Sequence, residues 1–294
     1  MTAGVAGVGA RAITRDHPEY PSRLLELAYP PPVLYVRGTL ASAHPPAVAI
    51  VGTRHASSYG LRVARAIATA CARAGATVIS GLAHGIDGAS HEAALAAGGR
   101  TVAVLGTGLD LVYPRGHRTL QQRIGAEGLL LSELPSHSSG HGGSFPLRNR
   151  IIAALADITV VVEAGVKSGA LITANHALEL HRLVACVPNA IDVPSAAGSN
   201  ALLKRSAEPI LCADDVLTML NLRASPTVGQ RLNGAAAACW DAVQQGALDV
   251  ASIAAASGLS PRATASAIAA LEVEGLLVVD IVGTVRPTLA TFHS

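Results

Sequence analysis

The sequence is poor in aromatic residues and in lysine. Only 3% of its 294 residues are Phe, Tyr or Trp, which excludes a broad surface lined with aromatic rings. Of the 22 Lys and Arg residues, only Lys167 and Lys204 are lysines. The formal net charge of +2 is too small to indicate a polyanionic partner by itself. A binding site for an acidic ligand would therefore have to be local.

The chain also has few cysteines and no long apolar run. Its four cysteines lie far apart, without the Cys or His spacing of a metal site, and fit small buried side chains in a reducing compartment. No run approaches the ~20 apolar residues that span a bilayer, and the N-terminus lacks a signal-peptide pattern. We therefore expect a soluble cytoplasmic protein without a metal or a cofactor.

Hydrophobic residues, at 50%, are abundant, and they form short apolar runs that alternate with helical segments. Strands are predicted at 47–51, 76–80, 101–105, 129–131, 158–162 and 183–187. Helices are predicted at 59–74, 88–97, 118–126, 147–156 and 170–181. Strands that are apolar throughout and separated by helices are typical of a parallel sheet covered on both faces. The predicted fold class is therefore α/β.

The chain is predicted to contain four regions. Residues 1–44 form an irregular lead-in that packs on the core, with an edge strand at 33–36. The sheet domain, which carries the predicted site, covers 45–222. A linker of small residues follows at 223–229, and a smaller domain covers 230–294.

The smaller domain has the pattern of a winged helix, three helices followed by a short hairpin. The helices are predicted at 232–245, 250–257 and 261–274, and the hairpin strands at 276–279 and 284–289. Residues 223–294 contain four basic and five acidic residues, so they lack the basic footprint of a DNA-reading domain. We therefore expect a wing that contacts protein or regulates, rather than one that reads DNA.

Turns of small residues follow the predicted strands of the sheet domain. Gly52-Thr53-Arg54 follows the first strand, Ser80-Gly81 ends the second, and Gly106-Thr107-Gly108 follows the third. Lys167-Ser168-Gly169 opens a helix soon after the fifth. Ligands bind at the carboxyl ends of parallel strands, and free N–H groups at such turns bind anions. Neither GxGxxG nor GxxxxGK[ST] is present, which disfavours dinucleotide and triphosphate binding.

The segment Phe145-Pro146-Leu147-Arg148-Asn149-Arg150 begins an apolar helix and carries the most informative side chains. The guanidinium groups of Arg148 and Arg150 suit phosphate oxygens. Phe145 offers a flat face on which a base could stack. The ordinary alternative is a helix that starts at proline and whose arginines pair with nearby carboxylates.

Two glutamates end strands near the same rim. Glu133 and Glu163 could form a hydrolytic pair, but we favour the alternative that they orient Arg148 or Arg150 by ion pairing. His84 has no recognisable nucleophile beside it, so we expect a structural or ligand-contacting role. We expect a structural role for His91 as well.

Together these motifs resemble those of the DNA-processing protein A family (DprA, also called Smf). The resemblance rests on Tyr20-Pro21, Val51–Arg54, Ser80–Asp87, Tyr113-Pro114, Ser132-Glu133, Phe145–Arg150 and Val162–Thr173. It implies an extended Rossmann-like fold with a C-terminal winged helix, and no catalytic residue. It further implies binding of single-stranded DNA, dimerisation, and loading of RecA recombinase onto the strand in natural transformation and DNA recombination.

The resemblance also suggests where DNA binds. It places Arg54 and the first two turns at a phosphate pocket, and Phe145–Arg150 along the DNA path. The predicted site consists of Gly52, Thr53, Arg54, Ser80, Gly81, Phe145, Arg148, Asn149, Arg150, Lys167, Ser168, Gly169 and Lys204. The chain departs from the family pattern at His141–Ser144, where a lysine is usual, at Asn189 and at Arg205–Ala207.

Two other functions stay open at this point. One is a nucleotide-binding protein or an enzyme similar to phosphoribohydrolases of nucleoside monophosphates, on a related Rossmann-like sheet. Its Pro-Gly-Gly-x-Gly-Thr-x-x-Glu loop is absent, and Glu163-Ala164-Gly165 is the nearest substitute. The other is a winged-helix transcription regulator, which the charge of residues 223–294 disfavours.

Overall fold

The computed structural model describes residues 9–40, 45–140, 142–222, 232, 234–273, 276–280 and 283–287. The chain divides into two compact units, Met1–Arg223 and Ala224–Ser294. The predicted linker at 223–229 lies outside the described residues. Each unit is described by itself below.

The first unit is built on one sheet. Its described strands are β1 (Arg11–Thr14), β2 (Val33–Gly38), β3 (Ala47–Val51), β4 (Thr77–Ser80), β5 (Thr101–Leu105), β6 (Leu129–Ser132), β7 (Ile158–Val161), β8 (Leu183–Cys186) and β9 (Glu208–Pro209). Its described α-helices are α1 (Ser58–Arg73), α2 (Ile86–Ala96), α3 (Arg118–Glu127), α4 (Ser144–Leu155), α5 (Gly169–Glu179), α6 (Ala197–Leu203) and α7 (Ala213–Met219).

The sheet order is β1-β2-β6-β5-β4-β3-β7-β8-β9. All neighbours from β6 to β9 are parallel, whereas β2 is antiparallel to both β6 and β1. The strand order reverses between β3 and β7, because β4 to β6 lie on one side of β3 and β7 to β9 on the other. In sheets of this kind the usual ligand-binding crevice lies at the carboxyl ends of the two strands where the order reverses, here β3 and β7.

Helices cover both faces of the sheet. Val104 of β5 belongs to an apolar cluster that includes Ile151 of α4 and Ala174 of α5. Its neighbours Ala103 and Leu105 belong to a second cluster, which includes residues of α2 and α3. Successive strand residues point to opposite faces, so apolar strands need helices on both sides. The predicted α/β class with a large, mainly parallel sheet is confirmed.

The predicted edge strand at 33–36 is a strand, but its place at the edge is wrong. It is β2, which lies between β6 and β1. Ile13 of β1 pairs with Leu34 and is 1% exposed. β1 has only four residues, too few to show a clear alternation in the sequence. The lead-in thus adds two strands to the sheet.

The second unit contains helices α8 (Ala235–Gln244), α9 (Val250–Ser257) and α10 (Pro261–Val273), and strands β10 (Leu277–Val279) and β11 (Val285–Pro287). The two strands pair antiparallel. Trp240, Ile253, Leu271 and Val285 bring all three helices and β11 into one apolar cluster. Asp249 accepts a hydrogen bond from the Ser252 N–H and so caps α9. The assignment of this unit as a winged helix stays a prediction.

Among the residues that the structure describes, no helix has the length and apolar character needed to cross a membrane.

Candidate nucleic-acid interface

The loops after β3 and β7 meet at the crevice where the strand order reverses. The Thr53 N–H donates a hydrogen bond of 2.7 Å to the Glu163 carbonyl oxygen. A Cβ atom at Gly52 would lie 2.4 Å from the side chain of Ile86 and 2.9 Å from that same carbonyl oxygen. Only glycine lets the backbone come this close, so the predicted turn at Gly52 is built for tight contact.

The loop after β4 supports the turn that carries Arg54. Gly85 has φ +76°, and a Cβ atom there would lie 2.4 Å from the Thr53 carbonyl oxygen and 2.9 Å from the Arg54 carbonyl carbon. The Ile86 N–H, at the start of α2, donates to the Thr53 carbonyl oxygen at 3.4 Å. Arg54 itself is exposed. It belongs to none of the ion pairs among the described residues.

The Ser80 hydroxyl and the Gly81 N–H both make hydrogen bonds inside the fold. The Ser80 hydroxyl donates a hydrogen bond of 2.7 Å to the Ile50 carbonyl oxygen, which ties β4 to β3. The Asp87 carboxylate accepts from the N–H groups of Gly81 and Ala83 at 3.1 and 3.3 Å. Burial raises the pKa of Asp87, and the nearby Arg148 charge and these N–H groups oppose the shift. The two residues therefore shape the floor of the rim.

Arg148 lies beneath the rim and is only 7% exposed. Its guanidinium donates to the carbonyl oxygens of Gly81, at 2.9 Å, and of Val104. Burial lowers the pKa of Arg148 to about 10, with Asp87 opposing the shift and Arg54 adding to it. Arg54 therefore lies within electrostatic range of a second, buried cation. A DNA contact through Arg148 stays a prediction, but in this structure its donors serve the ends of β4 and β5.

Arg150 is held by Glu133, in agreement with the prediction that the rim glutamates orient Arg148 or Arg150. The guanidinium makes two hydrogen bonds to the carboxylate, of 2.9 Å from Nη1 to Oε2 and 2.5 Å from Nη2 to Oε1. The two side chains are 12% and 19% exposed. The prediction that Glu133 orients Arg150 is confirmed.

The corresponding prediction for Glu163 is wrong. Glu163 is fully buried, and its carboxylate accepts hydrogen bonds of 2.6 Å from both the Ser57 and the Ser195 hydroxyls. It lies at the crevice between β3 and β7, whereas the arginines of α4 reach the ends of β4, β5 and β6. Glu163 therefore joins the N-terminus of α1 to the segment before α6.

Asn149 connects α4 to the start of α5. Its amide donates a hydrogen bond of 3.0 Å to the Gly169 carbonyl oxygen. Ser168 caps α5 by accepting from the Ala170 N–H at 3.3 Å, as its predicted place before the helix suggests. Lys167, just before it, is exposed. These residues form one neighbourhood at the rim.

Lys204 lies at the far end of α6, and its place in the site stays a prediction. The first turn of α6 lies at the rim, because the N–H groups of Gly198 and Ser199 donate to the Ala164 carbonyl oxygen at 2.8 and 2.9 Å. Lys204 is the C-terminal cap of this helix. It is separated from the first turn by about 9 Å along the axis, at 1.5 Å per residue.

Phe145 lies half-buried at the start of α4 against the turn after β5. A Cβ atom at Gly106 would lie 2.6 Å from the Phe145 ring. On another side the ring contacts Tyr113, with centroids 4.9 Å apart and planes tilted by 48°. Tyr113 is 46% exposed and is missing from the predicted site. A tyrosine in the loop after β5 of an aromatic-poor chain is the sequence feature that could have indicated it.

The two histidines singled out in the sequence lie in different environments. His84 is exposed and packs edge-on against His117, with centroids 4.9 Å apart. His91 is fully buried, and its Nδ1 lies 2.6 Å from the Thr101 hydroxyl. Burial lowers the pKa of His91 to about 3, with small contributions from His117 and Arg148. His141, at the departure from the family pattern, lies outside the described residues.

The described residues contain no group of three or more His, Cys, Asp or Glu side chains that could hold a metal ion.

Known sequences similar to this chain point to a single family. The family described as DNA recombination-mediator protein A matches residues 11–221. The protein Smf of Synechocystis sp. is 48% identical over 212 residues, which cover 71% of this chain and 53% of that protein. The putative DNA processing protein DprA of Mycobacterium tuberculosis is 39% identical over 290 residues, which cover 91% of this chain and 75% of that protein. The chain thus spans about half the length of the first relative and three quarters of the second.

Solved structures give the same result. The X-ray structure of DprA from Streptococcus pneumoniae matches with a TM-score of 0.68 at 37% identity, covering 71% of this chain and 73% of that one. DprA from Helicobacter pylori, described by its single-stranded DNA binding mode, matches with a TM-score of 0.65 at 28% identity, covering 72% and 95%. The sheet unit has the architecture of these proteins, and the chain belongs to the DNA-processing protein A (DprA/Smf) family of DNA recombination mediators.

Proposed function

We propose that this chain is a mediator of DNA recombination that binds single-stranded DNA at the carboxyl rim of its sheet. One observation carries the proposal. Arg54 is exposed and has no ion-pair partner among the described residues, and it stands on a turn fixed by Gly85, within range of buried Arg148. Such an uncompensated cation on a rigid turn is suited to a phosphate group. The single-stranded DNA binding of the Helicobacter pylori relative supports the same function.

The phosphates and bases of the strand would meet different parts of the rim. Arg54 and exposed Lys167 supply the charges, and the positive end of the α5 helix dipole lies beside Ser168 and Gly169. Phe145 supplies a ring face, worth ~1–3 kcal/mol per stacked base. Contacts to phosphates and ring faces carry little sequence information, so we expect only slight sequence preference.

In this proposal the buried residues of the predicted site do not contact DNA but stabilise the rim. Ser80, Gly81, Arg148 and Asn149 hold the strand ends and helix starts in place through the hydrogen bonds described above. Arg150 is neutralised by Glu133, so we assign it the same role. Lys204 would contact the DNA only if the bound strand of DNA continues past the first turn of α6.

We propose that the protein is not an enzyme. Both rim glutamates that could serve in hydrolysis are occupied, Glu133 by the Arg150 guanidinium and Glu163 by two serine hydroxyls. Neither is placed to act as a free general acid or base. Measuring base release from AMP tests the alternative, and turnover above the level of a Glu163→Gln variant would contradict the proposal.

Three further parts of the proposal rest on family membership. They are RecA loading, homodimer formation and a winged-helix fold for the second unit. A dimer would present two rims to one strand and raise avidity. RecA nucleation on a strand coated with single-strand-binding protein, with and without this protein, measures loading. Sedimentation measures the dimer.

The central experiment is fluorescence anisotropy with labelled oligo-dT and a matched duplex over a salt series. We expect tighter binding to the single strand and an affinity that falls as salt rises. Arg54→Ala should weaken binding and lower the salt slope by about one released charge. The control is Arg100→Ala, which removes an equal exposed charge just before β5, at the opposite rim. Equal effects of the two variants would overturn the proposed location.

A further inference from the structure

Tyr113 is a large exposed ring that the fold holds in place. It is 46% exposed, and its ring rests against Phe145 with centroids 4.9 Å apart. Phe145 in turn rests on the backbone of Gly106, where any side chain would collide with its ring. An exposed ring fixed by a chain of contacts loses little conformational freedom when a ligand covers it.

The two rings meet at an oblique angle. Their planes are tilted by 48°, so they neither stack on each other nor meet edge-on at a right angle. Nearly half of Tyr113, 46%, is open to solvent beside the rim. The chain has eight aromatic residues in all, and two of them are in contact here.

Two arginines follow Tyr113 within five residues of the chain. Arg115 and Arg118 are both exposed, and neither appears in an ion pair of the described residues. The first turn of α3, which begins at Arg118, contains no acidic residue. The Cα atom of Arg115 lies within about 7 Å of that of Tyr113, since each residue spans at most ~3.6 Å. The surface therefore combines a planar apolar face with neighbouring positive charge.

We propose that Tyr113 and Phe145 form a two-ring platform for an unstacked nucleobase, and that Arg115 and Arg118 bind its flanking phosphates. The ligand class follows from the chemistry, because a base offers a π-face and its phosphates offer charge. This inference rests on the proposed function. It extends the contacts of the DNA strand from the crevice at Arg54 to the loop after β5. It adds Tyr113, Arg115 and Arg118 to the predicted site.

The experiment compares two ligands with the same phosphates, oligo-dT and an abasic oligonucleotide of equal length. Tyr113→Ala should weaken dT binding about 5- to 140-fold, the equivalent of one lost stacking contact. It should leave binding of the abasic strand unchanged. Arg115→Ala should weaken binding of both strands and lower both salt slopes by about one charge. Leu183→Ala is the control, since Leu183 is similarly exposed, at 49%, at the start of β8.

Two further variants separate stacking from folding. Tyr113→Trp should keep or improve dT binding, because it preserves a ring. Tyr113→Leu preserves an apolar contact with Phe145 but has no ring, so it should behave like Tyr113→Ala at an unchanged Tm. If wild-type protein binds dT and Tyr113→Leu binds it equally well, the platform is overturned and the proposed function survives. Equal losses on dT and on the abasic strand would also overturn it. If wild-type protein binds neither strand, the proposed function itself fails.

Discussion

The guanidinium of Arg148 donates a hydrogen bond of 2.9 Å to the carbonyl oxygen of Gly81. It thereby joins α4 to the end of β4, and a second bond to Val104 extends the link to β5. The same positive charge opposes the rise in the pKa of Asp87, which is buried beside Arg148. One side chain therefore satisfies two strand ends and compensates a buried carboxylate.

We expect Arg148→Met to lower the free energy of unfolding by about 3–5 kcal/mol. The substitution leaves Asp87 buried without its cation and two carbonyl oxygens without their donor, and removing one member of such a buried set is costly. Urea unfolding measures the loss. Arg65→Ala, an exposed arginine on α1, is the control and should change stability by no more than about 0.5 kcal/mol. A comparably small effect of Arg148→Met would show that the guanidinium is dispensable.

We expect Gly85→Ala to damage both stability and DNA binding, whereas Gly169→Ala should leave stability unchanged. Gly85 has a positive φ, and its new Cβ atom would meet the backbone of Thr53 and Arg54, which cannot move without displacing the turn. Gly169 begins α5 with open space around it, and alanine favours the helix there. Thermal unfolding and oligo-dT anisotropy check both variants. An Arg54 turn that tolerates Gly85→Ala would contradict the interlocked loops described here.

The Arg150–Glu133 pair should show a coupling energy larger than that of an exposed ion pair. Exposed pairs contribute about 0.2–1 kcal/mol, but these two side chains are mostly buried and share two hydrogen bonds. We expect about 1–3 kcal/mol from a double-mutant cycle with Arg150→Met and Glu133→Gln. The exposed pair between Arg123 and Glu127 on α3 is the internal comparison. Coupling no larger than that of this pair would mean that burial adds nothing.

Stability should fall as the pH drops below about 6.5, in part because of His91. The folded protein keeps this ring neutral, since burial lowers the pKa of His91 to about 3. The unfolded chain takes up the proton near the ordinary pKa of ~6.5. Between these values the unfolded state binds more protons, so acid favours unfolding by up to ~1.4 kcal/mol per pH unit. The contribution is fully present above pH ~6.5.

His91→Asn tests this origin, because an amide can still donate to the Thr101 hydroxyl but does not titrate. Unfolding of wild-type protein and variant at pH 7.5 and 5.5 should give a smaller pH effect for the variant. His55→Asn, at an exposed position, should keep the wild-type slope. Identical slopes for wild type and His91→Asn would assign the acid sensitivity to other groups.

The sequence predicts β3 to β8 and the helices between them closely, because each strand is a short apolar run between glycine-rich turns. Ala47–Val51 and Thr101–Leu105 agree with the structure at both ends. It does not predict β1, β9 or the helices α6 and α7. These elements have two to seven residues, and a segment that short shows too few turns or alternations for its period to be seen.

The rim position of the site can also be predicted, but the direction of individual side chains on α4 cannot be read from residue type. Arg148 and Arg150 are two residues apart, and at 100° per residue they point about 200° apart around the helix. They therefore cannot both line one groove. Helix geometry excludes the shared groove, but only the packing of α4 shows that Arg148 is the one that turns inward. The contact between Tyr113 and Phe145, which are 32 residues apart, is likewise visible only in the structure.

The far border of the sheet limits how two copies of this chain could join. β9 consists of Glu208 and Pro209, and it pairs with β8 over Ala185 and Cys186 alone. Proline offers no N–H, and two residues give almost no ladder to extend. A strand from a second molecule therefore finds no template there, and the border is protected against continuous cross-strand aggregation. If the protein pairs with itself, it must do so on this side through side-chain packing rather than by lengthening the sheet.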